Sequence, residues 1–90
     1  MPALLIRHRV GDFDAWEKVF IDEAGTRRAN GCQGELVYRN SADPKEVWAL
    51  LDWDDVFRAK LFARSDDMLE ALVRAGVTDQ PDVWYLDSTE

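Results

Sequence analysis

The chain has 90 residues, enough for one domain with one hydrophobic core, which we place at residues 1–90. Its 18 acidic and 11 basic residues give a net charge of −7, which argues against general binding to nucleic acid or to an anionic membrane surface. The single cysteine excludes an internal disulfide, and because no segment resembles a membrane span or a signal peptide, we expect a cytoplasmic protein.

The first predicted element is a β-strand at residues 3–10, because its side chains alternate between two faces. His8 follows Leu4 and Ile6 on one face, and Arg7 lies on the other. His8 is the only histidine of the chain, and histidine is the one side chain whose ordinary pKa lies near neutrality. The strand therefore carries a titratable group at the end of an apolar row.

An amphipathic helix is predicted next, with Asp12 as its N-cap and an end near residue 29. Asn30 and Gly31 favour the stop, since glycine readily adopts the backbone conformation that ends a helix. The apolar side chains that recur at steps of three and four residues are Phe13, Trp16, Val19 or Phe20, and Ala24.

Two further strands are predicted at residues 34–40 and 46–53, joined by a turn at residues 41–44. Asp43 and Pro44 favour the turn, because aspartate caps its own backbone and proline fixes one dihedral angle. The strand at residues 46–53 carries apolar side chains on both faces, which is typical of a central strand that is covered on both sides.

The second half of the chain begins with a helix opened by Asp54 and Asp55. Ser65, Asp66 and Asp67 then interrupt the pattern and favour the start of a second helical piece. The remaining predicted segments are a helix stop at Gly76, a loop at residues 77–81, a last strand at residues 83–86 and a polar tail at residues 87–90.

The order strand, helix, strand, strand, helix, strand is the ferredoxin-like βαββαβ pattern, an α+β fold with a four-stranded sheet that is mostly antiparallel. We expect the strand order 4-1-3-2, with the first and third strands central and parallel to each other and the helices on one face. The other face would expose Leu5 and an apolar row of the third strand in a monomer. We therefore expect this face to pair with a second copy of the chain.

Five stretches that together span the chain carry a resemblance to known proteins. They are Arg7-His8-x-Val10-x-Asp12-Phe13-Asp14-x-Trp16, Tyr38-Arg39-Asn40 with Asp43-Pro44, Trp53-Asp54-Asp55, Gly76-Val77 and Pro81-Asp82-Val83. On these residues the chain resembles the dimeric α/β-barrel superfamily and, within it, the small proteins related to antibiotic biosynthesis monooxygenases, some of which are labelled cyclases. The resemblance implies a homodimer whose two sheets face each other, with a pocket between each sheet and its own helices.

The resemblance also implies a range of chemistry. Some relatives oxygenate polycyclic quinols without a metal or a flavin, and others degrade haem or cyclise polyketides. The haem-degrading relatives place their histidine on a helix, whereas His8 lies in the first strand, so that role is not carried over. We therefore expect neither a cofactor nor a metal.

The candidate catalytic residues are His8 and Asp52. A parallel pairing of the first and third strands would bring Asp52 near His8, where the carboxylate would make the imidazole a stronger general base. The alternative is a structural histidine that is hydrogen-bonded to Asp52, Tyr38 or the backbone. Tyr38 and Trp48 lie on adjacent strands and are the candidate substrate-binding residues for a flat aromatic ligand, unless they belong to the core or to an interface.

Other polar residues have simpler explanations. Arg7 and Arg9 would enter the interface between two copies, where they would pair with carboxylates such as Glu35 or bind an anion. The acidic runs at residues 52–55 and 66–67 fit no calcium loop and are explained by helix capping. Cys32 has no activating neighbour in the sequence and is expected to be an inert thiol.

Three functions are compatible with these features. The first is a small cofactor-independent monooxygenase or cyclase that acts on an aromatic or polyketide-like substrate between sheet and helices. The second is a non-catalytic, stress-associated dimeric module that binds a small apolar ligand. The third is an interaction domain without a ligand. A pocket with convergent polar groups would favour the first two over the third.

Overall fold

In the computed structural model of the chain, which describes residues 1–89, eight elements build one sheet and one layer of helices. The last residue of the predicted polar tail, Glu90, lies outside the described residues. No helix within residues 1–89 is long and apolar enough to cross a membrane. In chain order the elements are β1 (Ala3–Arg9), α1 (Phe13–Asp22), α2 (Ala24–Asn30), β2 (Cys32–Asn40), β3 (Asp43–Trp53), α3 (Val56–Ala63), α4 (Asp66–Arg74) and β4 (Asp82–Leu86).

The four strands form one antiparallel sheet in the order β2-β3-β1-β4, which is the predicted order. The prediction that the first and third strands are parallel is wrong, because β1 and β3 run antiparallel, with Ala3 opposite Asp52 and His8 opposite Val47. The reason is geometric. The crossover through α1 and α2 returns β2 to the direction of β1, and the tight turn after β2 then reverses the chain, so β3 opposes both.

The first helical segment is broken, whereas the sequence predicted one helix to about residue 29. α1 ends at Asp22, and Glu23 caps it with a backbone N–H that donates to the carbonyl oxygens of Val19 and Ile21. Gly25, two residues after Glu23, has a low helix propensity. The predicted stop at Gly31 is correct, since this residue has a φ of 118°, which glycine adopts at little cost.

The second helical segment is broken at the predicted place. Ser65 caps α4 by accepting a hydrogen bond from the N–H of Met68 at 3.1 Å, and its own hydroxyl donates to the carbonyl of Phe62 at 2.7 Å. The fold is therefore the expected α+β ferredoxin-like arrangement, with both helical segments divided into two pieces. The strands β2, β3 and β4 begin at Cys32, Asp43 and Asp82, somewhat earlier than predicted.

The two faces of the sheet have different surroundings. The helix face is the side that packs under the helices, and its buried residues on β1 and β3 are Leu4, Ile6, His8, Val47, Ala49, Leu51 and Trp53. The open face carries the alternate residues of all four strands. Its large apolar members are Leu5, Leu36, Tyr38, Trp48, Leu50, Trp84 and Leu86.

Candidate functional site

A cavity of about 60 Å³ lies between the helix face and the helices, in the predicted layer. Its floor is formed by side chains of β1 and β3, and all four helices contribute to its walls. The aromatic and thioether side chains that line it are Trp16, Phe20, Phe62 and Met68. The four polar residues that line it are His8, Glu23, Arg27 and Asp67. An apolar cavity with a few polar groups is the usual form of a small-molecule site.

His8 is a buried imidazole of this cavity, with only 3% of its surface exposed. Its ring lies 5.7 Å from that of Trp16, and neither ring nitrogen has a hydrogen-bond partner among residues 1–89. Burial lowers the pKa of His8 from 6.5 to about 4; the Asp79 carboxylate opposes this shift and the Arg7 guanidinium adds to it. The imidazole is therefore neutral at pH 7, with one N–H donor and one acceptor nitrogen available.

A base with a pKa of about 4 has an available lone pair at neutral pH but little driving force to take a proton. The arrangement suits an imidazole that accepts a hydrogen bond from a hydroxyl group and orients it. A role as general base would require an acidic substrate hydroxyl.

Arg27 is the second polar residue of the cavity that is buried, at 4% exposure. Its Nη2 donates to Glu35 Oε2 at 2.9 Å, and its guanidinium lies 3.7 Å above the centre of the Phe20 ring. The sequence analysis missed this residue, although a signal was present. Residues 16, 20, 23 and 27 fall at helical steps of four, three and four, so Arg27 continues the stripe of Trp16 and Phe20 across the helix break.

Asp52, a predicted catalytic residue, does not meet His8. It is exposed on the open face and lies opposite Ala3, five residues along β1 from His8, which is roughly 16 Å at the rise of a strand. Because β1 and β3 are antiparallel, their residue numbers run in opposite directions, and the carboxylate lies at the far end of the pair. The predicted Asp52–His8 pair is therefore wrong, both as a catalytic and as a structural contact.

Tyr38 and Trp48, the predicted substrate-binding residues, are neighbours as expected but do not line the cavity with His8. They lie opposite each other in the β2–β3 register, on the open face. Trp48 stacks on Trp84 with ring centres 5.9 Å apart and planes 7° apart, and its Nε1–H donates to Glu46 Oε1 at 3.0 Å. The placement fits the interface alternative and contradicts the pocket prediction.

The open-face arginines pair within the chain. Arg7 contacts Glu46 at 3.3 Å, Asp79 at 3.2 Å and Asp82 at 3.5 Å. The hydrogen bond from Arg7 holds the pKa of Glu46 below its ordinary value, and the contact raises the pKa of Arg7.

Arg9 contacts Asp43, and this hydrogen bond lowers the pKa of Asp43. The predicted pairing of these arginines with Glu35 is wrong, because Glu35 lies on the helix face with Arg27.

The capping explanation is correct for Asp55, whereas α4 is capped by Ser65 and not by Asp66 or Asp67; the expectation for Cys32 agrees with the structure. Asp55 caps α3 by accepting a hydrogen bond from the N–H of Phe57 at 2.7 Å, and Asp54 pairs with Arg58 at 2.6 Å. Cys32 is buried, and burial raises the pKa of its thiol, as expected of an unreactive cysteine.

Comparison with known proteins gives matches among solved structures only. No family model and no curated protein sequence matches the chain. A candidate antibiotic biosynthesis monooxygenase from Bordetella bronchiseptica is 20% identical, with a TM-score of 0.82 over 99% of this chain and 97% of that one. A second candidate of the same description from Caulobacter crescentus is 22% identical, with a TM-score of 0.77 over 99% of this chain and 90% of that one.

A variant of SnoaB, a cofactor-independent oxygenase from Streptomyces nogalater, is 18% identical, with a TM-score of 0.76 over 99% of this chain and 93% of that one. At these identities the similarity concerns the fold. It confirms the ferredoxin-like architecture and, at the level of the fold, the resemblance to antibiotic biosynthesis monooxygenase-like proteins.

Proposed function

We propose, on the premise of a fold shared with the antibiotic biosynthesis monooxygenase-like proteins, that this protein binds a small hydroxylated aromatic compound in the cavity and oxygenates it without a cofactor. The observation that carries the proposal is a neutral His8 that lines an aromatic cavity and has no hydrogen-bond partner among the described residues. The substrate hydroxyl would donate to the free imidazole nitrogen. Its ring would pack against Trp16 and Phe20.

In the proposed reaction the substrate carries a methylene carbon in a ring fused to its hydroxylated aromatic ring. This methylene becomes a carbonyl, and dioxygen supplies that oxygen atom and leaves its second atom as water. The atoms balance as CH₂ + O₂ → C=O + H₂O, and the substrate supplies the electrons. The protein would orient the substrate and exclude water from the reacting carbon. His8 would orient the hydroxyl on the ring and receive its proton only from an acidic substrate.

The size of the cavity requires the covering helix to move. A cavity of ~150 Å³ holds one benzene molecule, whereas this one measures about 60 Å³. α4 is the suitable element, because none of the residues Asp66–Arg74 is fully buried, although Met68 and Ala71 line the cavity. The helix is bounded by the Ser65 cap and by Gly76, which has a φ of 76°. Rotation about these two ends would enlarge the space for a ring.

We also propose that two copies pair through their open faces. Leu36 is 54% exposed, Tyr38 59% and Trp84 42%, and all three lie on one continuous surface of the sheet. Exposed apolar surface of this kind marks an interaction site. A self-complementary sheet-to-sheet contact would cover it, and an ordinary specific interface needs only ~800 Å² from each partner.

The test is a thermal-shift screen with polycyclic quinols and simpler hydroxylated aromatics, followed by oxygen-uptake assays on compounds that bind. We expect stabilisation of the wild-type protein, and a loss of about 10²-fold or more in turnover in His8→Phe if His8 takes a proton. A folded His8→Phe protein with unchanged turnover would remove His8 from the reaction.

A second candidate function is a non-catalytic binding module. The observation in its favour is the low pKa of His8 together with the distance of Asp52, which leaves the imidazole a weak base. The same screen separates the two functions. Aromatic compounds that stabilise the protein but cause no oxygen uptake would support the binding module.

A further inference from the structure

Arg27 has more donors than the protein uses. A guanidinium carries five N–H groups, and within residues 1–89 this one makes a single hydrogen bond, to Glu35. Its Nε has no partner within the described part of the chain, although only 4% of the side chain is exposed. A buried donor without an acceptor is costly and uncommon. Because Arg27 also lines the cavity, a ligand that enlarges this space would bring an acceptor atom beside its guanidinium.

Arg27 and His8 lie at opposite ends of one aromatic wall. The His8 ring is 5.7 Å from Trp16, the Trp16 ring is 4.9 Å from Phe20, and the Arg27 guanidinium is 3.7 Å from the centre of Phe20. Two aromatic side chains therefore separate the two polar groups. A ligand that contacts both would carry polar atoms at both ends of a flat apolar body.

The charges around Arg27 favour an uncharged acceptor. Its positive charge is already balanced by Glu35 at 2.9 Å, so a second carboxylate would add a net negative charge to a buried site. The acidic residues that line the cavity are Glu23 and Asp67. Of these two, only Glu23 has an ion-pair partner within residues 1–89, namely Arg74. A carbonyl oxygen accepts from Nε–H without this repulsion.

We propose that Arg27 is a specificity-determining residue, which donates from Nε to an uncharged carbonyl oxygen at the end of the ligand far from His8. The inference rests on the proposed function and narrows its ligand class to neutral hydroxylated aromatic compounds that also carry a carbonyl oxygen at the end far from the hydroxyl group. We therefore also expect the cavity to reject aromatic carboxylates of the same size.

The test uses three probes of nearly one shape: acetophenone, α-methylstyrene, in which a CH₂ group replaces the carbonyl oxygen, and benzoate. Dissociation constants are measured by NMR titration of the wild-type protein, of Arg27→Met and of the matched control Arg28→Met, which changes the exposed neighbouring arginine. The readout is the ratio of the acetophenone and α-methylstyrene affinities. A structural role for Arg27 would weaken both ligands together and leave this ratio unchanged.

We expect the ratio to fall by about tenfold in Arg27→Met and to stay constant in Arg28→Met, since a hydrogen bond to a charged group is lost only in the first. Benzoate should bind the wild-type protein more weakly than acetophenone. If Arg27→Met does not fold, Arg27→Gln is used, because glutamine keeps a donor for Glu35 but lacks the Nε–H group.

An unchanged ratio in the Arg27 variants would overturn the inference and leave the proposed function intact. Benzoate that binds more tightly than acetophenone, and only when Arg27 is present, would replace it with an anion site. If acetophenone does not shift the resonances of His8 and Trp16 but phenol does, the inference fails and the proposed function stands. If phenol does not shift them either, both fail.

Discussion

The two faces of the sheet handle polar side chains in opposite ways, and the contrast is sharpest between two adjacent residues. Arg7 on the open face contacts three carboxylates, whereas His8 on the helix face contacts none within residues 1–89. Buried polar groups are normally hydrogen-bonded, so a buried group without a partner either only destabilises the fold or belongs to a binding site. Of the four buried side-chain atoms without partners in the described chain, three belong to the cavity residues His8 and Arg27.

The remaining one, Nε1 of Trp53, belongs to a fully buried residue that does not line the cavity. The two faces therefore differ in the kind of surface that they present. The arginines of the open face pair with carboxylates of the same chain, and the face exposes apolar surface, as an interface does. The helix face leaves donors and an acceptor unused beside a cavity, as a binding site does.

The largest expected effect is on the open face. Trp84→Glu places a charge on the apolar surface, and in the proposed dimer each copy would contribute it to the same contact, so the pairing should be lost. Light scattering should change from twice 10.3 kDa to 10.3 kDa at micromolar concentration. The control is Phe57→Glu, which charges a more exposed aromatic on α3 (71% exposed, against 42% for Trp84) and should leave the proposed dimer intact. A wild-type protein that already has the mass of one chain would contradict the pairing.

On the helix face, the expected effect of His8→Phe is on the dependence of stability on pH. The unfolded chain binds a proton at His8 near pH 6.5 and the folded chain only near pH 4, so stability falls as the pH falls between these values. At ~1.4 kcal/mol for each pKa unit, the loss amounts to about 3 kcal/mol. Urea unfolding at several pH values should show this loss in the wild-type protein and not in His8→Phe. Parallel curves for both proteins would disprove the buried neutral imidazole.

A cavity-filling change separates ligand binding from stability. Ala71 on α4 lines the cavity, and Ala71→Leu should occupy part of it with apolar atoms. We expect a gain of about 1 kcal/mol in the free energy of unfolding and a loss of the thermal shift produced by aromatic compounds. Retained binding in this variant would place the ligand elsewhere.

The smallest expected effect concerns the charges of the open face. Glu46→Gln removes the carboxylate that holds Arg7, so the protein should become slightly less stable at neutral pH. Because the pKa of Glu46 is lowered in the folded state, its contribution is present above its ordinary pKa of 4.5 and is lost as the pH falls through the folded value. The variant should therefore lose less stability in acid than the wild type. Glu17→Gln, an exposed change on α1, is the control.

The sequence was sufficient for the elements that depend on local patterns. Alternation placed His8 on the row of Leu4 and Ile6, and the Ser65 signal gave the correct break between α3 and α4. The strand order also followed from the order of elements. Each of these features is encoded within about ten consecutive residues or in the sequence of element types.

The errors concern properties that only the packed sheet determines. The direction of β3 relative to β1 was wrong, and with it the position of Asp52. β3 is apolar on both faces, so its pattern could not show that Val47 and Ala49 face the helices while Trp48 faces away. Arg27 was not predicted as a site residue, because the sequence alone does not show whether a charged side chain on an apolar helical stripe is buried.

The most direct test of the helix-face account follows the His8 imidazole itself. The nitrogen chemical shifts of His8 are recorded by NMR at pH 7 during titration with phenol, and with toluene as the matched compound without a hydroxyl. The account predicts a neutral imidazole in the free protein, and a shift of its acceptor nitrogen with phenol that toluene does not produce. A charged imidazole at pH 7, or equal responses to the two compounds, would contradict it.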